Sequence, residues 1–269
     1  DGEHLLIASG GNAGSPAHVV VQMRRDSEGL LSYEASIDRA LDGVLAAGTP
    51  GDELLVTPDG RHLLLASGTD DGPPLQVLSR RAPDPLFALI EVDRNGEAAT
   101  TGMLAPTDVA VSPDGEYVYA VSIAEGALAV FKRNDTLGFS DDTAGQHLEF
   151  VAAYIEGEGG ISGLYKANRV RVSPDGNSVF VTSEVGNTLA VFKRNVDGSL
   201  QQLQLLRDNQ GGVTALSGAH GMAMDSASRT LYVAAGFENA IGVFARDPAT
   251  LLLGFIGEAR GGAAGAAGL

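Results

Sequence analysis

Few residues in this chain have the types and spacing to do chemistry, and those that do recur at one point of a repeated pattern. They are Asp52 and Glu53, Thr107 and Asp108, Asn168 and Arg169, and His220. Each group stands just ahead of a short apolar run. Acids, an arginine and a histidine that converge on one axis could bind a polar ligand or a cation, or exchange protons with a substrate. His220, Asp108 and Arg169 are the candidate catalytic groups, and the whole set is the candidate ligand-binding set. His220 lies in Gly218–Met222 (GAHGM), where small neighbours leave an imidazole accessible as base or ligand. The competing reading is structural, because the copies share no one residue type at this place and solvated strand starts look the same. Arg171 takes a slot held by Leu55, Ala110 and Ala223 in the other copies. A guanidinium among apolar residues needs a carboxylate or carbonyl partner. It reads as an inter-blade ion pair or as an anion contact.

Metal chemistry has thin support. Glu184 and Asn187, with Glu125, Glu238 and Asn239 in similar places, precede apolar runs and read first as turns. As oxygen ligands Glu184 and Asn187 would suit Ca²⁺ or Mg²⁺, but no cofactor is required. The acidic stretches 69–72 (TDDG) and 140–143 (SDDT) lack the full spacing of a calcium loop. His4, His18, His62 and His147 are scattered, with no HxH or HExxH spacing. There is no cysteine, hence no disulfide and no thiol nucleophile, and no G-x-S-x-G elbow. The Gly-rich stretch 8–14 lacks the Lys-Ser/Thr of a phosphate loop.

Charge narrows the partners. The 34 acidic residues against 18 basic ones give a formal charge of −16 in 269 residues. A negative surface is repelled by nucleic acid and by anionic membranes. No apolar run approaches the ~18 residues of a spanning helix, and the N-terminus has neither a basic nor an apolar leader region. The expected partner is a small polar ligand or a protein at a channel mouth, with no nucleic acid and no membrane insertion. At 44% hydrophobic residues, the chain can bury a core.

The elements that must position these residues come from an internal repeat. One copy reads Val109–Gly115 (VAVSPDG), Tyr117–Ser122 (YVYAVS) and Ala127–Asn134 (ALAVFKRN). The next reads Val170–Gly176 (VRVSPDG), Ser178–Ser183 (SVFVTS) and Thr188–Asn195 (TLAVFKRN). Weaker copies surround Leu54–Gly60 (LLVTPDG), Met222–Asp225 with Thr230–Ala234, and the N-terminal residues from Asp1. The anchor residues Asp1, Asp59, Asp114, Asp175 and Asp225 are 58, 55, 61 and 50 positions apart, which makes five copies. Periods of this length signal stacked supersecondary units.

Each copy predicts an antiparallel sheet. The β-branched and aromatic runs are strands, and Pro-Asp-Gly is a tight turn in which Pro presets φ and Gly supplies φ > 0. A more variable fourth strand follows, as in Phe150–Tyr154 and Gln202–Leu206. The first three strands are almost continuously apolar, which demands cover on both faces. Lys132-Arg133, Lys193-Arg194 and Arg80-Arg81 read as edge charges that discourage aggregation. The fold expected is all-β, a β-propeller of about five four-stranded antiparallel blades in one domain over 1–269. The repeats run about 1–53, 54–108, 109–169, 170–221 and 222–269.

The SPDG turn, the YVY/VFV strand and the AVFKRN strand resemble the lactonase-like, YVTN-type β-propeller repeats of the 6-phosphogluconolactonase-like superfamily. The resemblance covers nearly the whole chain and is strongest in the third and fourth copies. The usual member has seven blades, against the five counted here. The resemblance implies a propeller fold and, as one reading, a lactone hydrolase acting on a sugar-acid lactone at the channel mouth. Another reading is a non-catalytic binding and interaction scaffold, extracellular, periplasmic or on a cell surface, which the acidity and the lack of a shared catalytic constellation favour. A third is a structural module of a longer repeat array. Docking of the Gly261–Leu269 tail near the N-terminal hairpin would close a ring; an open arc would self-associate through its edges.

Overall fold

The computed structural model describes residues 3–8, 18–38, 53–66, 75–80, 87–96, 100–134 and 147–261. Its strands group into five sheets in chain order. Blade one holds β1 (His4–Ala8), β2 (His18–Arg25) and β3 (Leu31–Asp38). Blade two holds β4 (Glu53–Val56), β5 (His62–Ala66), β6 (Leu75–Arg80) and β7 (Phe87–Asp93). Blade three holds β8 (Pro106–Val111), β9 (Tyr117–Ser122), β10 (Ala127–Arg133) and β11 (Leu148–Ile155). Blade four holds β12 (Ala167–Val172), β13 (Ser178–Ser183), β14 (Thr188–Arg194) and β15 (Leu200–Arg207). Blade five holds β16 (Ala219–Met224), β17 (Thr230–Ala235), β18 (Ala240–Arg246) and β19 (Leu253–Arg260). Every pairing is antiparallel between chain neighbours. The expectation of four strands per blade holds for four sheets; among the described residues blade one has three, with no counterpart of β4, β8, β12 or β16.

Register makes the blades superimposable residue by residue. In blades three to five one residue of the innermost strand is skipped opposite its neighbour: Thr107, Asn168 and His220. A second skip recurs between the third and fourth strands at Val130/Phe131, Val191/Phe192 and Val243/Phe244. Such bulges bend and twist a strand at a fixed place.

The tight turn also repeats, with one correction. Ser112 and Ser173 each bond the N–H and C=O of the residue five positions on. Gly115 (φ 78°) and Gly176 (φ 73°) supply the left-handed step. In blade five Asp225 pairs with Thr230, and Ser228 takes the left-handed position at φ 57°. Asp225 therefore occupies the serine slot, two residues ahead of the anchor position, and the counterpart of Asp114 is Ala227.

Alternation then drives the sheets together. In β9 all six residues are buried. Val118 and Ala120 face blade two, whereas Tyr117, Tyr119 and Val121 face blade four. Cores of this kind lie between blades one and two (Leu6, Val20 against Leu63, Leu65), two and three (Leu64, Val77 against Val118, Phe131), three and four (Tyr119, Val130 against Val179, Phe192), and four and five (Phe180, Val191 against Leu231, Phe244). Among the described residues no apolar core joins blade five to blade one; residues 262–269 of the tail expected to close the ring lie outside the described residues.

Each core from the second onward is latched by an arginine. The last residue of β10, Arg133, reaches Asp59 of the preceding blade at 3.0 Å. Arg194 reaches Asp114 at 2.6 Å, and Arg246 reaches Asp175 at 2.8 Å. The same guanidinium groups donate to Gly115, Gly176 and Ser228 carbonyls of their own blades. A third partner comes from the first residue of the preceding blade's second strand. Arg133 donates to His62 Nδ1, Arg194 stacks on the Tyr117 ring, and Arg246 donates to the Ser178 hydroxyl. Arg133, Arg194 and Arg246 are thus inter-blade latches. The edge-charge reading fails for Arg133 and Arg194 because the third strand ends against the next sheet; Lys132 and Lys193 do face solvent. Burial alone would raise the latch carboxylates. Bonds from Thr57 and Arg61, with the Arg133 guanidinium, outweigh it and hold Asp59 at about 2; Asp114 and Asp175 are lowered in the same way.

The latches differ in exposure, and that difference is measurable. The Arg246 side chain is fully buried, while Arg194 and Asp114 are 10% and 40% exposed. Asp175→Ala strands a buried guanidinium and should cost about 3 kcal/mol. Asp114→Ala should cost about 1 kcal/mol. Urea unfolding of the two variants reads the difference. Folded-state pKa values below the ordinary carboxylate value mean that the latch contribution is present above about pH 4 and is lost as pH falls toward about 2.

Candidate active site

Register places the sequence candidates in two layers at one end of the inner strands. Thr107, Asn168 and His220 are the bulged residues of β8, β12 and β16. Glu53, Asp108, Arg169 and Gly221 form the next layer, each opposite the equivalent residue of its second strand. Asp52 lies outside the described residues, as do the acidic stretches 69–72 and 140–143.

Hydrogen bonds stitch the layers across blades. The Thr107 hydroxyl donates to the Asn168 carbonyl at 3.2 Å. Arg169 donates to the carbonyls of Asn168 at 2.9 Å and Thr107 at 3.4 Å. The Thr182 hydroxyl lies 3.3 Å from Asn168 Oδ1 and 3.4 Å from the His220 carbonyl. His220 is therefore tied by its backbone to the same network, with its side chain exposed. Thr182 was not a sequence candidate: a threonine inside SVFVTS looks like any strand residue.

Asp108 is the centre of the cluster. It is fully buried. One oxygen accepts the Val109 N–H at 3.0 Å, and the other accepts the Val170 N–H of the next blade at 2.7 Å. Arg171 comes within 3.4 Å of that second oxygen. Of the two readings of Arg171, the inter-blade ion pair is formed, and its side chain is still 39% exposed. Burial raises the Asp108 carboxyl; the charge of Arg171 and the Val170 N–H pull it down, Glu53 raises it, and Arg169 lowers it. The balance stands at about 7. A carboxyl poised near neutrality among arginines at a strand start is a recurrent mark of functional sites.

The remaining candidates fall elsewhere. Asn187 adopts a left-handed turn conformation at φ 52°. Its side-chain oxygen accepts the Gly218 N–H at 2.8 Å. Asn187 thus holds the approach to β16, and its oxygen is already committed. Glu125 accepts from Asn95 and from the Leu104 N–H. Among the described residues no three His, Asp or Glu side chains group as metal ligands. Two histidines scattered in sequence do meet: the His62 and His147 rings lie 5.5 Å apart between blades two and three, far along the strands from the cluster.

Asp108 gives a pH test. Its folded value lies above the ordinary carboxylate value, so its stabilising contribution is complete below about pH 4 and is lost as pH rises through about 7. Across that window Asp108→Asn should remove a pH-dependent loss of up to about 4 kcal/mol. Its urea midpoint should vary less with pH than that of the unmodified chain.

Comparison with known proteins follows this geometry. A family model described as lactonase, 7-bladed beta-propeller, matches residues 169–264. No curated protein matches the sequence. Among solved structures, the Pseudomonas aeruginosa periplasmic gluconolactonase PpgL is similar with a TM-score of 0.73 and 22% identity, over 96% of this chain and 69% of that one. A Bacteroides fragilis protein described as a candidate 6-phosphogluconolactonase gives a TM-score of 0.65 and 18% identity, over 97% and 68%. A Lactobacillus plantarum protein gives 0.65 and 16%, over 90% and 64%. No helix among the described residues is long and apolar enough to cross a membrane. Repeat, register and structural neighbours agree on a β-propeller fold for this chain, similar to that of the lactonase-type structures, with five blades among the described residues.

Proposed function

We propose that the chain hydrolyses a sugar-acid lactone at the end of the blades where the inner strands begin. The observation that carries this is the meeting of Asp108, Arg169, Arg171 and Glu53 across adjacent inner strands. A lactone is a cyclic ester. Its hydrolysis needs water at the carbonyl, positive charge for the developing oxyanion, and a proton for the leaving alkoxide. Arg169 and Arg171, both partly exposed, supply the charge. A guanidinium also matches a carboxylate or phosphate substituent of the substrate. Asp108 is closed from solvent and serves as a positioning residue, holding Arg171 and the Val170 N–H. His220 takes a proton from water as its oxygen bonds the carbonyl carbon. It returns the proton to the ring oxygen as the acyl C–O bond breaks, leaving a hydroxy acid. No step runs through a metal ion.

The lactonase-type neighbours support this reading over a non-catalytic scaffold, which no feature of the cluster favours. The partner is then a small polar ligand, with neither nucleic acid nor membrane involved. An extracellular, periplasmic or cell-surface location belongs to the same proposal, supported by the periplasmic P. aeruginosa neighbour.

The test is lactone opening followed by pH-stat, with gluconolactone and its 6-phosphate as probes. The unmodified chain should exceed the spontaneous rate. Arg171→Ala and Arg169→Ala should each lower kcat/KM by about 10²-fold, and His220→Ala should lower kcat by a similar factor. A wild-type rate equal to the spontaneous one with both probes overturns the reading.

A further inference from the structure

The turn between the second and third strands has four residues in blades three, four and five: 123–126, 184–187 and 236–239. Its fourth residue is left-handed in each, at Gly126, Asn187 and Asn239. Its second residue is Ala124, Val185 or Phe237. Ala124 and Val185 are exposed although another blade follows each, Val185 at 56%. The position therefore opens to solvent even where the next blade is packed alongside.

Blade five puts the largest side chain there. Phe237 is 66% exposed, while the other described phenylalanines are buried or half-buried. A single exposed apolar side chain is ordinary, but this one is fitted. Its ring lies over Gly218, where an added Cβ would stand 2.7 Å from the ring Cγ. Blades three and four carry Ala105 and Lys166 at the same left-handed place. Blade five lacks that side chain, and the ring takes the space. The backbone fixes the turn: the Gly236 N–H donates to the Gly218 carbonyl at 3.0 Å, and the Phe237 N–H to the Ser217 carbonyl at 3.3 Å. His220 adjoins the same turn. Its Cε1 and Nδ1 lie 3.7 Å from where a Cβ on Gly236 would stand. An exposed imidazole and a fixed, exposed aromatic ring are thus set side by side.

That pairing selects a ligand shape. A ring-closed sugar lactone has a face of C–H bonds and a rim of hydroxyls. The open-chain hydroxy acid that it becomes has no such face. C–H bonds laid on an aromatic ring combine apolar burial with a weak directional attraction. We propose that Phe237 is the specificity-determining residue of the site: the closed sugar ring rests on it with the ester beside His220, and the open-chain acid is held less. The inference rests on the lactone-hydrolase reading for the reaction and adds to it which form of the sugar is bound. An interaction made equally in the ground and transition states is read in KM.

The chain has no tryptophan, so Phe237→Trp places a single fluorescent reporter at the platform. The probes are gluconolactam, a closed-ring amide that resists hydrolysis, and open-chain gluconate. The lactam should shift the Trp emission saturably, with a Kd about tenfold below that of gluconate. In the pH-stat assay Phe237→Ala should raise KM for gluconolactone about tenfold, the loss being carried by KM rather than kcat, and Phe237→Tyr should restore it. Circular dichroism with a thermal melt checks that each variant is folded. Trp emission indifferent to the lactam overturns the inference, as does a KM unchanged in Phe237→Ala or an equal response to lactam and gluconate. A saturable, lactam-selective signal in a chain that opens no lactone keeps the platform and removes the hydrolase reading. Neither signal nor hydrolysis removes both.

Discussion

A four-stranded sheet that is apolar on both faces cannot exist alone in water. β9 and β13 bury all six of their residues each, and they can do so only because another sheet lies on either side. Everything else follows from that constraint. The cores lie between blades rather than within them, as in repeat proteins whose units cannot cover their own apolar faces. Burial of this surface is the dominant favourable contribution, and it is shared by neighbours.

Apolar packing sets the distance between sheets but is tolerant of sliding. The arginine latch removes that freedom. Each aspartate bonds its own turn through one oxygen and the next blade's guanidinium through the other, as in Ser112–Asp114–Arg194. The turn is thereby coupled to the blade angle. Such pairs contribute little net energy when exposed and much specificity when buried. The latch at one end of the strands and the bulge at the other fix the orientation of each inner strand.

The bulges are what bring chemistry together. Skipping Thr107, Asn168 and His220 turns the following residues toward the neighbouring blade. Asp108 then lies under the Val170 N–H, and Arg171 extends over it from the next strand. Burial raises the resulting carboxyl, and the arginines and the Val170 N–H pull it only part of the way back, which leaves it near neutrality. The arginines that cover it remain within reach of a ligand.

The sequence by itself determined the repeat, the strands and the turn chemistry, because these are local: Val-Ser-Pro-Asp-Gly makes a hairpin wherever it stands. It also marked the inner-strand starts, since only there do polar residues precede each apolar run, and it singled out Arg171 as an exception in an apolar slot. Tertiary structure decided the rest. That Arg133, Arg194 and Arg246 are all latches depends on the blade before each, not on a Lys-Arg pair, which Arg246 lacks. Asp225 looked like an anchor, but its hydrogen-bond register made it a serine substitute. Asp108 and Arg171 are 63 residues apart in the chain and become partners only when two sheets pack. Pairings at that range are set by sheet-to-sheet packing, which a one-dimensional pattern does not encode.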